Sequence, residues 1–186
     1  MNQPQPTIVI VPGLRDHVPD HWQTLLGEQL PGSVTVPRMA MNKLSCAAWV
    51  HQIDRTLAAV DGPVILVAHS GGVMMVVHWA TQHRRPIHGA LLATPADLES
   101  PLPEGYPTLE TLQQGGWLPV PRERLPFPSI VTASTNDPLA RYGRVARYAR
   151  DWGGRLVNIG TVGHLNPAAG FGEWPQALEF IRELST

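Results

Sequence analysis

Cysteine is nearly missing. Cys46 stands alone among 186 residues, which excludes an internal disulfide framework and suits a reducing compartment. Charge is scarce as well. Asp, Glu, Lys and Arg make up 16% of the chain, and 14 basic against 15 acidic side chains leave a formal net charge of −1. No basic field would therefore draw the protein to nucleic acid or to an anionic membrane. Long apolar runs are lacking too. Met1-Asn2-Gln3-Pro4-Gln5-Pro6 carries no basic stretch, and the apolar run over residues 7–11 stops at Pro12-Gly13, too short for a signal sequence or a membrane span. A cytoplasmic location is expected, with neither a nucleic-acid nor a membrane partner. What the chain has in plenty is 19 prolines and 17 glycines, set between apolar segments as loop punctuation. With 43% hydrophobic residues, residues 1–186 are expected to form one globular domain with a sizeable core.

Apolar strands and helix-spaced segments alternate along the sequence. Strands are expected over residues 7–11, 33–36, 64–69, 87–93, 129–133 and 155–159. Helices are expected over 20–30, 45–60, 73–80, 138–152 and 173–184, with Asp20 and Ser45 as N-caps. Alternation with short connections predicts an α/β fold: about six mostly parallel strands with helices on both faces. One stretch breaks the pattern. Residues 94–128 hold eight prolines and Gly115-Gly116-Trp117 and read as an irregular insertion, placed to cover the site as a fixed wall or a moving lid.

The chemistry is carried by Val64-Ile65-Leu66-Val67-Ala68-His69-Ser70-Gly71-Gly72. A β-branched run drives into a serine flanked by very small residues, and an apolar helix follows. This is the strand–turn–helix signature of a nucleophile elbow, G-x-S-x-G, with Ala68 in the first glycine position. A serine hydroxyl needs a base to take its proton and a third group to orient that base. In an open parallel sheet such groups collect beyond the carboxyl ends of strands. Asp137 follows the strand at 129–133, and His164 follows the strand at 155–159. Ser70, Asp137 and His164 thus stand in the chain order of α/β-hydrolases. An oxyanion hole would come from the amides of Gly71 and, after the first strand, Leu14.

These residues resemble a known group. Pro12-Gly13, His21-Trp22, Ala68-His69-Ser70-Gly71-Gly72, Asn136-Asp137-Pro138, Gly163-His164-Leu165-Asn166, Gly170-Phe171-Gly172 and Trp174-Pro175 are together similar to the small serine hydrolases that include retinoblastoma-binding protein 9 and bacterial YdeN-type proteins. The resemblance spans nearly the whole chain. It implies a minimal α/β-hydrolase fold and the same Ser70, Asp137, His164 triad. It implies no retinoblastoma-type partner, because the nearest run to Leu-x-Cys-x-Glu, Leu44-Ser45-Cys46-Ala47-Ala48, lacks the glutamate.

Blander roles are open to some of these residues, and neighbouring residues carry signals of their own. Ser70 and Asp137 could each be only helix caps. His69 points away from the nucleophile by the geometry of the turn and reads as a packing or hydrogen-bonding residue at the site's edge. Arg15, His17, His69 and Trp117 are expected to line the substrate site. His17 and His21 stand four apart, but Pro19 interrupts the helix that a metal pair would need, so no metal is expected. Arg141, Arg144, Arg147 and Arg150 read as a solvated helix face. The expectation is a cofactor-free serine hydrolase acting on an ester, thioester or amide of a small or medium acyl group. The alternative is a binding protein on a hydrolase scaffold.

Overall fold

The computed structural model describes residues 5–15 and 18–186. Strands β1 (Thr7–Val11), β2 (Val34–Thr35), β3 (Val64–His69), β4 (Gly89–Ala93), β5 (Ser129–Ala133) and β6 (Arg155–Asn158) form one sheet. Their order is β2-β1-β3-β4-β5-β6, and every pair is parallel. The helices are α1 (Trp22–Gln29), α2 (Cys46–Ala58), α3 (Gly71–Gln82), α4 (Leu109–Gln114), α5 (Tyr142–Trp152) and α6 (Gln176–Leu184). This is the α/β architecture that the sequence pattern predicts, in the minimal α/β-hydrolase form that the resemblance implies. None of the described helices is long and apolar enough to cross a membrane.

A sheet buried on both faces sorts its side chains by the two-residue period of the strand. Val9, Val11, Leu66, Ala68, Ala90, Leu92, Val131 and Ala133 point into one apolar cluster with α2, α3 and α5. Ile8, Ile10, Ile65, Val67, Leu91, Ala93 and Ile130 point into the other, with α1 and α6. The strand order reverses at β1, whose neighbours are β2 on one side and β3 on the other. Connections leave the carboxyl ends of β1 and β3 toward opposite faces, which opens a crevice there.

Several element starts differ from expectation by one to four residues, and two of the differences have a visible cause. Helix α1 is capped by His21, whose Nδ1 accepts from the Gln23 amide at 3.2 Å, not by Asp20. Helix α5 begins at Tyr142 rather than near Pro138, because the Asp137 carboxylate holds the Leu139 amide (2.8 Å) in a turn of its own. The insertion is more ordered than its prolines suggest. Thr108 caps α4 through the Thr111 amide at 3.2 Å, and Leu112, Trp117 and Val120 are core residues.

Candidate active site

The tight turn between β3 and α3 puts Ser70 at φ 56° and ψ −124°, a region that side chains rarely occupy without surrounding support. That support is local. The Ser70 amide donates to the Ala93 carbonyl at 3.0 Å, and the Ser70 carbonyl accepts from the Val73 amide at 3.1 Å. Gly13 comes so near that a Cβ there would lie 3.5 Å from the Ser70 Cβ. The same loop brings the Leu14 amide beside Gly71: a Cβ on Gly71 would sit 3.4 Å from the Leu14 nitrogen.

His164 lies between Ser70 and Asp137. The Ser70 hydroxyl donates to Nε2 at 2.7 Å. Nδ1–H donates to the two Asp137 carboxylate oxygens at 2.9 and 2.8 Å. The His164 and Asp137 side chains are 6% and 2% exposed, so the pair is shielded from competing water. The loops that carry them are cross-braced. The Asn136 carboxamide oxygen accepts from the Gly163 amide (2.7 Å) and from the Ser134 hydroxyl (2.9 Å). The Ser134 oxygen in turn accepts from the Val162 amide at 3.2 Å. Leu165, at φ 50°, is fully buried behind the histidine.

His69 braces the same loop from the other side. Its Nε2–H donates to the His164 carbonyl at 2.9 Å, and its ring lies 4.6 Å from that of His21 and 4.9 Å from that of His164. Burial, then the nearby His164 and His21 rings, hold its pKa well below the ordinary imidazole value. It is neutral at neutral pH, as its position among two other imidazoles requires.

A cavity of about 350 Å³ opens onto Ser70, His164 and the loop over residues 12–15. Leu98, Leu102, Tyr106 and Leu139 supply an apolar wall, and Gln23, Thr24 and Thr35 a more polar one. The Arg15 guanidinium carbon sits 4.6 Å from the centre of the Tyr106 ring.

A serine, an imidazole and a carboxylate are thus joined beside this cavity. The serine hydrolase family model matches residues 8–183. The chain belongs to the serine hydrolase family. A YdeN-like hydrolase from Pectobacterium atrosepticum is 31% identical and superposes with a TM-score of 0.81, the match covering 97% of this chain and 91% of that one. The ydeN gene product of B. subtilis is 17% identical, with a TM-score of 0.75 over 96% of this chain and 98% of that one. Est1E from Butyrivibrio proteoclasticus is 14% identical, with a TM-score of 0.70 over 98% of this chain and 89% of that one. The last two likenesses are of fold alone. No curated protein sequence matches this chain.

In this serine hydrolase the structure brings Ser70, His164, Leu14, Gly71, Arg15 and His69 to the walls of one cavity, with Asp137 behind His164. Trp117 is a correction. It is wholly buried away from the cavity, its Nε1–H donating to the Leu44 carbonyl at 2.9 Å and its ring edge-on to His78. Apolar area of that size on a proline-rich segment is worth more as an anchor than as a wall. His17 lies outside the described residues. Arg144 is a second correction: it turns inward to Asp97 (3.1 Å) and Glu99 (3.2 Å) rather than lying on a solvated face. Sequence reasoning gave no role to Tyr106, to the Leu98–Leu102–Leu139 wall or to Asn136. Only Asn136, in the turn-forming string Asn-Asp-Pro, carries a local signal.

Proposed function

We propose that this hydrolase cleaves carboxylic esters of small or medium acyl groups through an acyl-enzyme on Ser70. His164 takes the hydroxyl proton as Ser70 attacks the carbonyl carbon. The amides of Leu14 and Gly71 donate to the oxyanion. Asp137 fixes the imidazole tautomer and stabilises the imidazolium. His164 then gives its proton to the departing alcohol, and water, activated by the same imidazole, releases the acid and restores the hydroxyl. The observation that carries this reading is His164, hydrogen-bonded to Ser70 at 2.7 Å and to Asp137 at 2.8 and 2.9 Å. The cavity of about 350 Å³ supports a modest acyl group.

A fluorophosphonate probe tests it. The wild type is expected to label at Ser70, and a nitrophenyl ester to give a burst of nitrophenol equal to the enzyme concentration. Ser70→Ala should lose both, and Asp137→Asn should cut turnover by roughly 10³- to 10⁴-fold. Undiminished labelling of Ser70→Ala would overturn the assignment.

A further inference from the structure

Among the described residues that line the cavity there is no carboxylate, and Arg15 is the one side chain with a permanent charge. Two arginines of the insertion and α5 are committed to ion pairs: Arg122 with Glu99 and Asp151, and Arg144 with Asp97 and Glu99. Among the described residues no ion pair of this kind reaches Arg15. Its guanidinium is instead laid over the Tyr106 ring at 4.6 Å. Stacking of that kind uses the face of the guanidinium and leaves the N–H edge in its plane available, which is the geometry a carboxylate accepts in a two-pronged pair. The position matters as much as the charge. Arg15 follows Leu14 directly, and the Leu14 amide lies beside Gly71. A cation is therefore held one residue from the point where the substrate carbonyl oxygen would sit, on the rim of an otherwise uncharged pocket.

Resting on the ester-hydrolase reading and narrowing it, we propose that Arg15 is a specificity residue that selects esters bearing a free carboxylate a few bonds from the scissile carbonyl. Tyr106 pre-orders the guanidinium, so less side-chain freedom is lost when the anion arrives. The carboxylate could belong to the acid half or to the alcohol half of the ester, and both halves are tested.

Binding is measured by calorimetry in Ser70→Ala, so that the outcome does not depend on turnover. One arm uses monomethyl glutarate, with the charge on the acid half. The other uses acetoxybutanoate, with the charge on the alcohol half. Each is compared with a neutral ester carrying an isopropyl group in place of the carboxylate. In at least one arm the charged ester is expected to bind about tenfold more tightly. That preference should shrink with added salt, because Arg15 lies near the surface. It should vanish in the added variant Arg15→Gln and return in part with Arg15→Lys, which keeps the charge and loses the planar fork. Equal binding of charged and neutral esters in both arms, or a preference that survives Arg15→Gln, would overturn the proposal. Wild-type turnover of the neutral esters reports separately on the catalytic reading. A protein that turns over nothing yet keeps the carboxylate preference would sink that reading and leave Arg15 as an anion-selective binding residue.

Discussion

Gly72 shows how tightly the elbow is built. A Cβ there would stand 2.5 Å from the Pro12 carbonyl oxygen and 2.6 Å from that of Val11, backbone atoms at the end of β1 and at the start of the loop that carries Leu14. Neither can move without tilting β1. Gly72→Ala is expected to cost about 3 kcal/mol by chemical denaturation and to lower ester turnover with it. Gly143 is the contrast. It lies inside α5, and nothing stands within 4 Å of a Cβ built on it. Gly143→Ala should stabilise by roughly 0.5–1 kcal/mol with no change in turnover. A stable, active Gly72→Ala would mean that the close approach of β1 to α3 is not needed to form the site. At this scale the residues of the proposed triad were legible because each stands just past a strand end, where sequence pattern and topology agree. The supporting residues were not. The side chain of Tyr106 reaches Arg15 from 91 residues away in the chain, and no local pattern encodes a stacking across a cavity.

Among the elements, α3 ties the hydrophobic centre to the insertion. It is apolar nearly all round, and its one buried imidazole, His78, donates from Nε2–H to the Trp117 carbonyl at 3.0 Å. Burial lowers the His78 pKa, the carbonyl only partly offsetting it, and that of His69, the last residue of β3, lies well below the ordinary imidazole value. Both groups bind protons more readily in the unfolded chain, whose imidazoles titrate near about 6.5. Between the folded value and that value the unfolded state carries more protons, so stability rises with pH there. The contribution is complete above about 6.5 and is lost as pH falls below it. Melting temperatures taken from pH 7.5 down to 5 are expected to fall, and the slope should be shallower in His78→Gln. A slope unchanged by that substitution would assign the acid sensitivity elsewhere. The strands and most helices were readable from apolar spacing, β1 and β5 to the residue. The short α4 was not, since six residues with one buried leucine carry too little periodicity to be told from a loop.

Across the whole molecule, the insertion is pinned to the rest of the fold at several points. Near its start the Asp97 amide donates to the Leu139 carbonyl at 2.9 Å, and Arg144 grips the Asp97 carboxylate at 3.1 Å. Arg122 joins Glu99 to Asp151 while lying 4.4 Å over the Tyr148 ring. Further on, Trp152 Nε1–H donates to the Pro121 carbonyl at 2.9 Å, and the Leu125 amide to the Trp152 carbonyl at 3.0 Å. Trp117 is the central pin, buried between α2 and α3 with its N–H on Leu44. Leu44 also borders the cavity, as do Leu98, Leu102 and Tyr106 farther up the insertion. Removing the indole therefore acts on the site from a distance. Trp117→Ala should cost about 3–5 kcal/mol, through lost area and the cavity left behind. With Leu44 and the insertion no longer held together, the cavity wall should loosen, and activity across a series of lengthening acyl esters should lose its sharp cut-off. Trp117→Phe retains the ring area and loses only the N–H, so it should keep most of the stability and the wild-type length profile. A folded Trp117→Ala with the wild-type length profile would mean that the cavity wall is set by the Asp97–Arg144 and Glu99–Arg122 pairs alone, and Arg144→Met would then be the substitution that broadens it.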